Sequence, residues 1–429
     1  MNKVPHVVIV GGGFGGLNAA RGFAKAPVRV TLIDQRNYHL FRPLLYQVAS
    51  GLLSADEIAP PLRSIFSQQR NIEVVMSEVN GIDTQNRLIQ LPQYTLHYDF
   101  LVLATGITYN YFGHDEWRQI ALGLETLDDA DRIRGKILMP FETAERIAAG
   151  GTANQEMIQK VLTFVLVGAG TVGVEMASTM AEMMRMALAH DFRHIDPTSA
   201  QIILYESATR ILPTFPEILS SKAHRHLEKL GVRICTGTRV ESVDSEGVVV
   251  EGKRVPSQTI IWCAGVVASP AARWLSAETD RFGRVKVNPD LSIPGHPNIF
   301  GIGDTALVVA YSRNLFGMRT RTLGPLPGVA QPAIQEGRYV ADLIRRRVLG
   351  SLPPSPFVYW DKGDLAIVGR SFAVADLRFL RFSGFPAWLV WAGVHIYSLI
   401  GFGNKLFVML QWTVSFMTKR RQVRIFPTH

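Results

Sequence analysis

Short runs of consecutive apolar residues, each followed by glycines, mark the predicted buried strands of this chain. Residues 7–10 form one such run, and glycine-rich residues 11–16 follow it at once. Helical spacing then extends over residues 17–25, and a second strand over residues 28–33 ends on Asp34. A strand, a glycine turn, a helix and a strand ending on an acid predict a βαβ dinucleotide-binding unit.

Each glycine of this first turn is assigned its own task. Gly11 makes the tight turn, Gly13 lets a pyrophosphate approach the backbone, and Gly16 lets helix and strand pack closely. The phosphates would then lie at the positive N-terminus of the helix. Asp34 is placed to accept hydrogen bonds from a ribose 2′-OH. The same predicted cofactor site includes Phe14 and Gly15.

The pattern returns in the middle of the chain. An apolar run at residues 165–167 precedes a second turn, made of Gly168, Ala169, Gly170, Thr171, Val172 and Gly173. A long helix is predicted next, with methionines at helical spacing that we interpret as core filling: Met176, Met180, Met183 and Met184. The following strand, residues 201–205, ends on Glu206. Glu206 lies thirty-three residues after Gly173, which predicts an extended crossover.

Glu206 predicts that the second site prefers NADH. A carboxylate there would repel the 2′-phosphate of NADPH, although nearby Arg210 counts against a sharp preference. Gly168, Gly170, Val172 and Gly173 are the predicted cofactor contacts. Two dinucleotide sites in one chain predict that a hydride passes between two dinucleotides, and one of them is normally a flavin.

This order of elements resembles the two-dinucleotide-binding flavoprotein superfamily. Two more segments fit it: Leu103 to Gly106, closing a strand, and residues 298–304, ending on Asp304. The resemblance implies an α/β fold of two doubly wound, Rossmann-like domains, with an NADH domain inserted in a domain that holds non-covalent FAD. It also implies that Asp304 contacts the ribityl–phosphate part of the flavin, the alternative being an ordinary turn acid.

Within that superfamily the chain resembles the bacterial type II NADH:quinone dehydrogenases over nearly its whole length. The segments that carry the resemblance are HLFRPLLYQVA at 39–49, YFGHDEW at 111–117 and VAQPAIQEG at 329–337. The resemblance implies that Gln331 and Gln335 lie beside the isoalloxazine, at the mouth of a quinone tunnel. Amides suit quinone carbonyls because they donate hydrogen bonds without adding charge. The other assigned cofactor contacts are Arg42, Pro43, Leu44, Ala104, Thr105, Gly106, Ala264, Gly265 and Ala330.

Glu175 occupies the position of the family's glutamate near the nicotinamide–flavin contact. The resemblance implies that it positions NADH or relays a proton. The alternative is a carboxylate that stabilises the N-terminus of its own helix. Glu175, Gln331 and Gln335 are therefore the predicted catalytic residues, and no metal site is expected.

Length and cysteine content limit the architecture and the chemistry. The 429 residues allow several domains, and we predict a FAD-binding domain at 1–118 and 281–378, an NADH-binding domain at 119–280 and a membrane-association segment at 379–429. Cys235 and Cys263 are not in a C-x-x-C pair, which excludes dithiol chemistry. The first strand begins too early to leave room for a signal peptide, so a cytosolic compartment is expected.

Positive charge is concentrated at the C-terminal end. The whole chain carries +9, whereas residues 370–429 contain eight bases and one acid, a balance of +7. These bases flank two uncharged apolar stretches, at residues 385–402 and 406–417. Such an arrangement indicates an anionic lipid surface rather than nucleic acid as the partner.

The two apolar stretches are predicted to be amphipathic helices lying in the membrane interface. Ser383 is the predicted N-cap, and Pro386 would lie in the first turn. The predicted interface-seeking stripes are Trp388, Trp391, His395 and Ser398 on the first helix, and Gln411, Ser415, Thr418 and Gln422 on the second. A peripheral, monotopic position on the cytoplasmic face of the bacterial inner membrane follows. A spanning helix and a subunit interface, as in a homodimer, stay open as alternatives.

These observations predict a non-proton-pumping NADH:quinone oxidoreductase of a respiratory chain. Hydride would pass from NADH to N5 of FAD, and a membrane quinone, ubiquinone or menaquinone, would take two electrons. The enzymatic alternative is a sulfide:quinone reductase, which needs cysteines flanking the flavin, whereas Cys235 and Cys263 lie in the predicted NADH domain. The other alternative is an NADH-sensing flavoprotein that signals through a protein partner.

Overall fold

The computed structural model describes residues 4–150, 155–189, 191–313 and 319–418. Its strands are β1 His6–Val10, β2 Arg29–Asp34, β3 Ile72–Met76, β4 Gly81–Asp83, β5 Leu88–Gln90, β6 Thr95–His97, β7 Phe100–Leu103, β8 Ile107–Tyr109, β9 Ala121–Gly123, β10 Thr163–Val167, β11 Gln201–Glu206, β12 Val232–Thr236, β13 Val240–Asp244, β14 Gly247–Val250, β15 Lys253–Pro256, β16 Thr259–Trp262, β17 Val266–Ala268, β18 Val285–Lys286, β19 Ser292–Ile293, β20 His296–Gly301, β21 Ala306–Leu307, β22 Val309–Arg313, β23 Arg319–Pro325, β24 Val358–Trp360, β25 Asp364–Ile367, β26 Ala373–Asp376 and β27 Arg381–Gly384. Its helices are α1 Phe14–Gly22, α2 Leu45–Ala49, α3 Ala55–Ile58, α4 Leu62–Ile65, α5 Leu127–Ala149, α6 Gln155–Val161, α7 Thr171–Glu182, α8 Glu217–Lys229, α9 Ala271–Leu275, α10 Ala330–Val348, α11 Phe385–Ser398 and α12 Phe402–Thr418.

The chain forms two compact units, each assembled from three segments. Unit 1 contains Met1–Leu40, Ala59–Thr108 and Val266–Lys362. Unit 2 contains Phe41–Ile58, Tyr109–Gly265 and Gly363–His429.

Unit 1 is built on a six-stranded sheet in the order β19-β20-β7-β1-β2-β3. All neighbours from β20 to β3 are parallel. Every residue of β1 is buried, as expected of a central parallel strand covered on both faces. In register, Val10 of β1 faces Ile33 and Leu103 on its two neighbours, so the loops after these three strands leave the sheet at one edge.

Helices α1 and α10 pack together in unit 1. The predicted helix over 17–25 is displaced, because α1 begins at Phe14 and ends at Gly22. A Cβ atom added to Gly337 of α10 would lie 2.3 Å from the backbone oxygen of Gly15, and one added to Gly22 would lie 2.5 Å from Cβ of Ala341. Glycines therefore allow the two helix backbones to approach closely.

Unit 2 contains the second parallel sheet, in the order β12-β11-β10-β16-β9. Strand β11 ends on Glu206, as predicted. Helix α7 continues into a π-helical turn over Met183–Ala187, which lengthens the crossover to β11. The predicted core role of the methionines is confirmed, since all four are buried: Met176, Met180, Met183 and Met184. Both predicted doubly wound folds are thus present.

Unit 2 also holds the antiparallel sheet β25-β26-β27 and the two C-terminal helices. Pro386 lies in the first turn of α11, as predicted, but the N-cap is Gly384 and not Ser383, which belongs to β27. Gly384 has a φ of +88°, a conformation that suits glycine. The first apolar stretch is divided, because α11 ends at Ser398 and α12 begins at Phe402.

The predicted interface-seeking stripe on α11 is wrong in direction. Trp391 is only 1% exposed and packs on His395 and Trp412, with ring centroids 4.2 and 5.2 Å away. His395 Nδ1 lies 2.7 Å from the Trp391 oxygen, whereas Trp391 Nε1 is buried without a hydrogen-bond partner among the described residues. Trp412 of α12 donates from Nε1 to Oε1 of Gln47 at 2.7 Å. The most exposed large apolar residues of the two helices are instead Tyr397, Phe402 and Met417, at 83%, 84% and 77%.

The second stripe is corrected in the same way. Gln411 and Ser415 are half-buried beside buried Val408 and Trp412, whereas Thr418 is exposed. Gln422 and the predicted basic cluster of Lys419, Arg420, Arg421 and Arg424 lie outside the described residues. Among the helices that the structure describes, none has the length and apolarity needed to cross a membrane.

Candidate functional site

The first glycine turn links β1 to α1 in a conformation that excludes side chains. Gly11 has a φ of +104°, and a Cβ atom there would lie 2.3 Å from the backbone oxygen of Ala104. A Cβ at Gly16 would lie 1.8 Å from the oxygen of Gly11. Gly13, by contrast, is the N-cap of α1 and has no atom within 4 Å of its Cβ direction. The turn is therefore closed toward the sheet and open above the helix N-terminus, where a pyrophosphate would fit.

Asp34 closes this turn from the end of β2. Its Oδ2 accepts from the Gly12 N–H at 2.6 Å, and its Oδ1 accepts from the Arg36 N–H at 2.8 Å. Burial raises the pKa of Asp34, while these two N–H groups lower it. A carboxylate has about four lone-pair positions, so two remain for a ribose.

The second turn repeats this geometry inside unit 2. Gly168 has a φ of +99° and lies against Ala264, and a Cβ at Gly173 would lie 1.9 Å from the oxygen of Gly168. Gly170 is the N-cap of α7 and is open like Gly13.

Glu206 repeats the contacts of Asp34 at this second turn. Its Oε2 accepts from the Ala169 N–H at 2.7 Å, and its Oε1 accepts from the Ala208 N–H at 2.8 Å. The Arg210 side chain donates to the Pro213 oxygen at 3.0 Å. The two βαβ units are therefore equivalent in detail, down to the carboxylate that ends the second strand.

His39, which follows β2, contacts the first glycine turn in a way that the sequence did not reveal. Its Nδ1 lies 2.8 Å from the Gly12 oxygen, and Phe14 packs edge-on at 5.2 Å between ring centroids. Its Nε2 is buried and has no protein hydrogen-bond partner. Burial lowers the pKa of His39 to about 4, so the ring is neutral at pH 7. An unpartnered nitrogen beside the open glycine turn fits a site that receives a polar ligand.

Two segments that the sequence marked separately meet in unit 1. The Gly106 N–H donates to Oγ1 of the fully buried Thr305 at 2.8 Å, and Thr105 Oγ1 lies 3.2 Å from the same oxygen. The neighbouring Asp304 faces Gly328, whose Cβ would lie 3.1 Å from Oδ1. The loops after β7 and β20 thus form one polar edge beside the first glycine turn.

Glu336 is a further buried acid that the sequence reading did not single out, although it lies inside the 329–337 motif. Its Oε2 accepts from the Gly303 N–H at 2.6 Å. Burial, and then the charge of Asp304, raise the pKa of Glu336 to about 7 against the lowering effect of that N–H.

The two predicted quinone-site glutamines differ in their surroundings. Both lie on α10, which begins at Ala330. Gln331 is half-buried in the first turn. The Gln335 amide is paired with the backbone of Trp360, accepting from its N–H at 2.9 Å and donating to its oxygen at 3.0 Å. The side chain of Gln335 therefore ties α10 to β24.

The segment with Arg42, Pro43 and Leu44 belongs to unit 2, where Arg42–Leu44 is a single 3-10 turn. Gln47 follows on α2. It donates to the Tyr46 hydroxyl at 2.8 Å and accepts from Trp412.

Glu175 lies beyond the first turn of α7 and is 6% exposed. Its Oε1 faces the Ile367 N–H at 3.5 Å. Burial raises the pKa of Glu175 well above its ordinary value, which favours the neutral carboxylic acid. Because Glu175 lies outside the first turn of α7, the alternative role of stabilising the N-terminus of its own helix is ruled out.

A small cleft opens in unit 2 farther along α7. Arg370 and Glu182 both line this cleft, and the Arg370 backbone N–H donates to Oε1 of Glu182 at 2.6 Å. The Arg370 guanidinium donates to the backbone oxygen of Phe416 in α12 at 3.2 Å. Its lining includes Tyr46, Gln47, Thr179, Glu182, Arg370 and Ser415.

The two cysteines are unlinked, in keeping with the missing C-x-x-C pair, and both residues are half-buried. Burial raises the pKa of the Cys263 thiol to about 12. This shift opposes the thiolate form that a reactive cysteine needs.

Comparison with known proteins adds two family matches. Residues 5–337 match the pyridine nucleotide-disulphide oxidoreductase family. Residues 361–421 match the NDH2 C-terminal domain.

Two curated proteins of Mycobacterium tuberculosis are similar over most of the chain. Type II NADH:quinone oxidoreductase Ndh is 43% identical, over 97% of this chain and 89% of its own length. Type II NADH:quinone oxidoreductase NdhA is 40% identical, over 97% and 88%. The fold is similar to that of NDH2 from Plasmodium falciparum in complex with NADH, with a TM-score of 0.86, 20% identity and coverage of 97% and 99%.

Proposed function

The chain belongs to the type II NADH:quinone oxidoreductases of the pyridine nucleotide-disulphide oxidoreductase family, and we propose that it passes a hydride from NADH through FAD to a quinone. The observation that carries the proposal is the repeated turn. Gly12 with Asp34 and Ala169 with Glu206 are the same arrangement in two βαβ units. Two dinucleotides in one enzyme suit hydride transfer between them.

FAD is assigned to the first turn. Gly13 leaves space for the pyrophosphate, Asp34 offers lone pairs to the ribose, and Asp304 and Gly106 border the same edge of the sheet. The orphan Nε2 of His39 is a further polar group for the cofactor. When bound, FAD supplies the redox chemistry, because a flavin both accepts a hydride and passes electrons on.

NADH is assigned to the turn of unit 2. The pyrophosphate would meet the N-terminus of α7 at Gly170, and the adenosine ribose would meet Glu206. Ala264 and Gly265, after β16, would border the nicotinamide half. Glu206 would repel a 2′-phosphate and so favour NADH.

Reduction of a quinone to a quinol takes two electrons and two protons, whereas one hydride carries two electrons and one proton. A second proton must be supplied. Glu175 is a candidate donor, because its burial favours the protonated acid. Its Oε atoms would release that proton toward the reduced product and regain one from water.

The quinone head group is assigned to the first turn of α10 in unit 1. Gln331 is the better of the two glutamines for a carbonyl contact, because the amide of Gln335 is already paired with Trp360. Ubiquinone and menaquinone both stay open as the substrate.

Attachment to a membrane is assigned to the outer faces of α11 and α12. Leu389, Tyr397, Phe402, Phe407 and Met417 are exposed there, and the sequence continues into Lys419-Arg420-Arg421. Apolar contact and attraction to anionic lipid would act together. We assign the cytoplasmic face of the bacterial inner membrane, and a homodimer stays a prediction.

The absorbance spectrum of the purified protein tests the proposal. Flavin bands should bleach on addition of NADH and return on addition of a soluble quinone, with steady turnover. Release of FAD by denaturation would establish that it is bound non-covalently. A sensing flavoprotein would bleach but return slowly, and a sulfide:quinone reductase would bleach with sulfide. Either result would contradict the proposal.

A further inference from the structure

Phe112 of unit 2 has a backbone conformation that aromatic residues rarely adopt. Its φ is +54°, and Gly113 follows with a φ of +93°. The Phe112 N–H donates to Oδ1 of Asn110 at 2.8 Å, which holds the turn. The side chain is 52% exposed. Left-handed backbone at a bulky residue is strained, and such strain persists only where surrounding contacts enforce it.

The Phe112 ring rests on the glycine that follows β16. A Cβ atom at Gly265 would lie 2.4 Å from Cζ of Phe112, so only glycine leaves room for the ring. Asn110 is tied to the same place, because its N–H donates to the Gly265 oxygen at 3.3 Å and its oxygen accepts from Trp262 Nε1 at 3.1 Å. The ring position is therefore fixed by both ends of the loop.

The strand order identifies which part of a dinucleotide this ring would meet. In the sheet β12-β11-β10-β16-β9, the strands β11 and β12 follow β10 on one side, whereas the later strand β16 lies on its other side. The switch point of the strand order is therefore between β10 and β16. A dinucleotide lies across that switch point, with its adenosine half toward β11 and Glu206. Its nicotinamide half then lies toward β16, where Ala264 is packed against Gly168 of the glycine turn.

We infer that Phe112 binds the nicotinamide half of NADH, as an aromatic surface beside Gly265. This inference rests on the proposed function, since it deepens the assignment of NADH to unit 2. A flat, partly exposed ring can pack on the nicotinamide ring without a charge, whereas the adenosine, the pyrophosphate and the second ribose are held elsewhere. Phe112 therefore contributes to binding of NADH and NAD⁺ but not of ADP-ribose, which lacks nicotinamide.

The test compares Phe112→Asn with Phe112→Tyr in the full-length flavoprotein. Asparagine tolerates positive φ, so it removes the ring without adding backbone strain. Tyrosine keeps the ring and should behave as the unmutated protein. Phe379→Leu is the matched control, because Phe379 is similarly exposed, at 51%. Dissociation constants for NAD⁺ and ADP-ribose are measured by titration calorimetry, and that for NADH by the concentration dependence of flavin bleaching.

Phe112→Asn should weaken binding of NAD⁺ and NADH by about 3- to 10-fold, the size of a lost aromatic contact, and leave ADP-ribose unchanged. Equal weakening of ADP-ribose would mean that Phe112 only supports the fold of unit 2. Unchanged binding of all three would also overturn the inference. If NADH fails to bleach the unmutated flavin, the proposed function fails instead, and the NAD⁺ and ADP-ribose constants still decide the role of Phe112.

Discussion

Single residues show how much of each proposed site is preorganised by the chain itself. Asp34 and Glu206 each accept one N–H from the glycine turn and one from the backbone two residues ahead. The carboxylate orientation is therefore set before a ribose arrives, which lowers the entropy lost on binding.

Glu206→Gln tests the preference for NADH. The amide keeps the size of the side chain but removes the charge and one acceptor, so the ratio of kcat/KM for NADPH to that for NADH should rise about tenfold, a change of about 1.4 kcal/mol. Steady-state kinetics with both nucleotides measures it, and Arg210→Gln should shift the ratio the opposite way. Equal kcat/KM for NADPH and NADH in the unmutated enzyme would contradict the role of Glu206.

The buried acid Glu336 predicts a pH dependence of stability. Its pKa is about 7 in the folded protein against an ordinary 4.5. Below pH 4.5 both states hold the proton, and between pH 4.5 and about 7 the folded state alone holds it. The free energy of unfolding therefore falls as the pH rises through this window and is level above it.

Glu336→Gln stays neutral and should not lose that stability. The difference in the free energy of unfolding between Glu336→Gln and the unmutated protein should grow by about 3 kcal/mol, in favour of the variant, from pH 4.5 to pH 8. Urea denaturation at the two pH values measures the difference. Glu278→Gln, at an exposed acid paired with Lys286, should run parallel to the unmutated protein. A parallel profile for Glu336→Gln as well would show that Glu336 is not the titrating group.

Among the elements, the pair α1 and α10 connects the motifs of unit 1. The helix that begins at the glycine turn packs on the helix that carries the 329–337 motif, and the contact passes through Gly15 and Gly337. Any side chain at Gly337 would push on the backbone that presents the turn.

Gly337→Ala should therefore lower both stability and FAD retention. Alanine gains about 0.5–1 kcal/mol of helix propensity, but its Cβ would clash with the Gly15 oxygen at 2.3 Å, and overpacking typically destabilises by about 1–3 kcal/mol. Gly135→Ala, in α5 with no atom within 4 Å of the added Cβ, should be neutral or stabilising. Thermal unfolding and the flavin-to-protein ratio measure both. Undiminished FAD content in Gly337→Ala would contradict the argument.

Substitutions on α10 test whether its two glutamines, Gln331 and Gln335, have different roles. Gln331→Leu should slow quinone reduction and leave reduction of the flavin by NADH nearly intact. Gln335→Leu should in addition lower the free energy of unfolding by about 1–3 kcal/mol, because two backbone groups of Trp360 lose their partner. Stopped-flow measurement of the two half-reactions separates the effects. Equal loss of both half-reactions in Gln331→Leu would mean that Gln331 holds the flavin or the fold.

On the scale of the whole molecule, the tail has an inner face and an outer face. Trp391 and Trp412 are buried in unit 2, so removing everything from Gly384 onward would uncover Gln47 as well as remove the proposed lipid-binding surface. Substitutions confined to the outer face are the cleaner test.

Replacement of Leu389, Phe407 and Leu410 by Gln should weaken binding to vesicles by at least about 100-fold. Burial of each such side chain contributes about 1.5–3 kcal/mol, and these three are exposed. Vesicle sedimentation measures binding. The control replaces three exposed residues elsewhere, Met76, Ile218 and Leu352, by Gln. It should have little effect on vesicle binding. Activity with a soluble quinone should persist in both variants, and undiminished vesicle binding in the first would contradict the assigned surface.

Neutralising Lys419, Arg420, Arg421 and Arg424 to Gln tests the electrostatic part of attachment. Each base near the surface contributes about 1 kcal/mol on anionic lipid and is screened by salt. Binding to anionic vesicles should therefore weaken, while binding to neutral vesicles should not change. Equal binding of the parent and the variant to anionic vesicles would exclude an electrostatic contribution.

The sequence by itself determined the two βαβ units, their order and the acids that end their second strands. These features are local, since a buried strand, a glycine turn and a helix N-terminus are specified by adjacent residues. For the same reason the core methionines of α7 and of the π-helical turn after it could be identified without a structure, as could the residues of the family motifs.

Only the tertiary structure decided which face of each element turns inward and which distant groups meet. Trp412 finds Gln47, 365 residues away in sequence, and this contact reverses the predicted stripes of α11 and α12. Gln335 finds the backbone of Trp360, and Phe112 finds Gly265. Periodicity gives the spacing of a helical stripe but not the partner that covers it. A buried polar group is satisfied by whichever donor or acceptor the packing brings near, and that depends on segments far apart in the chain.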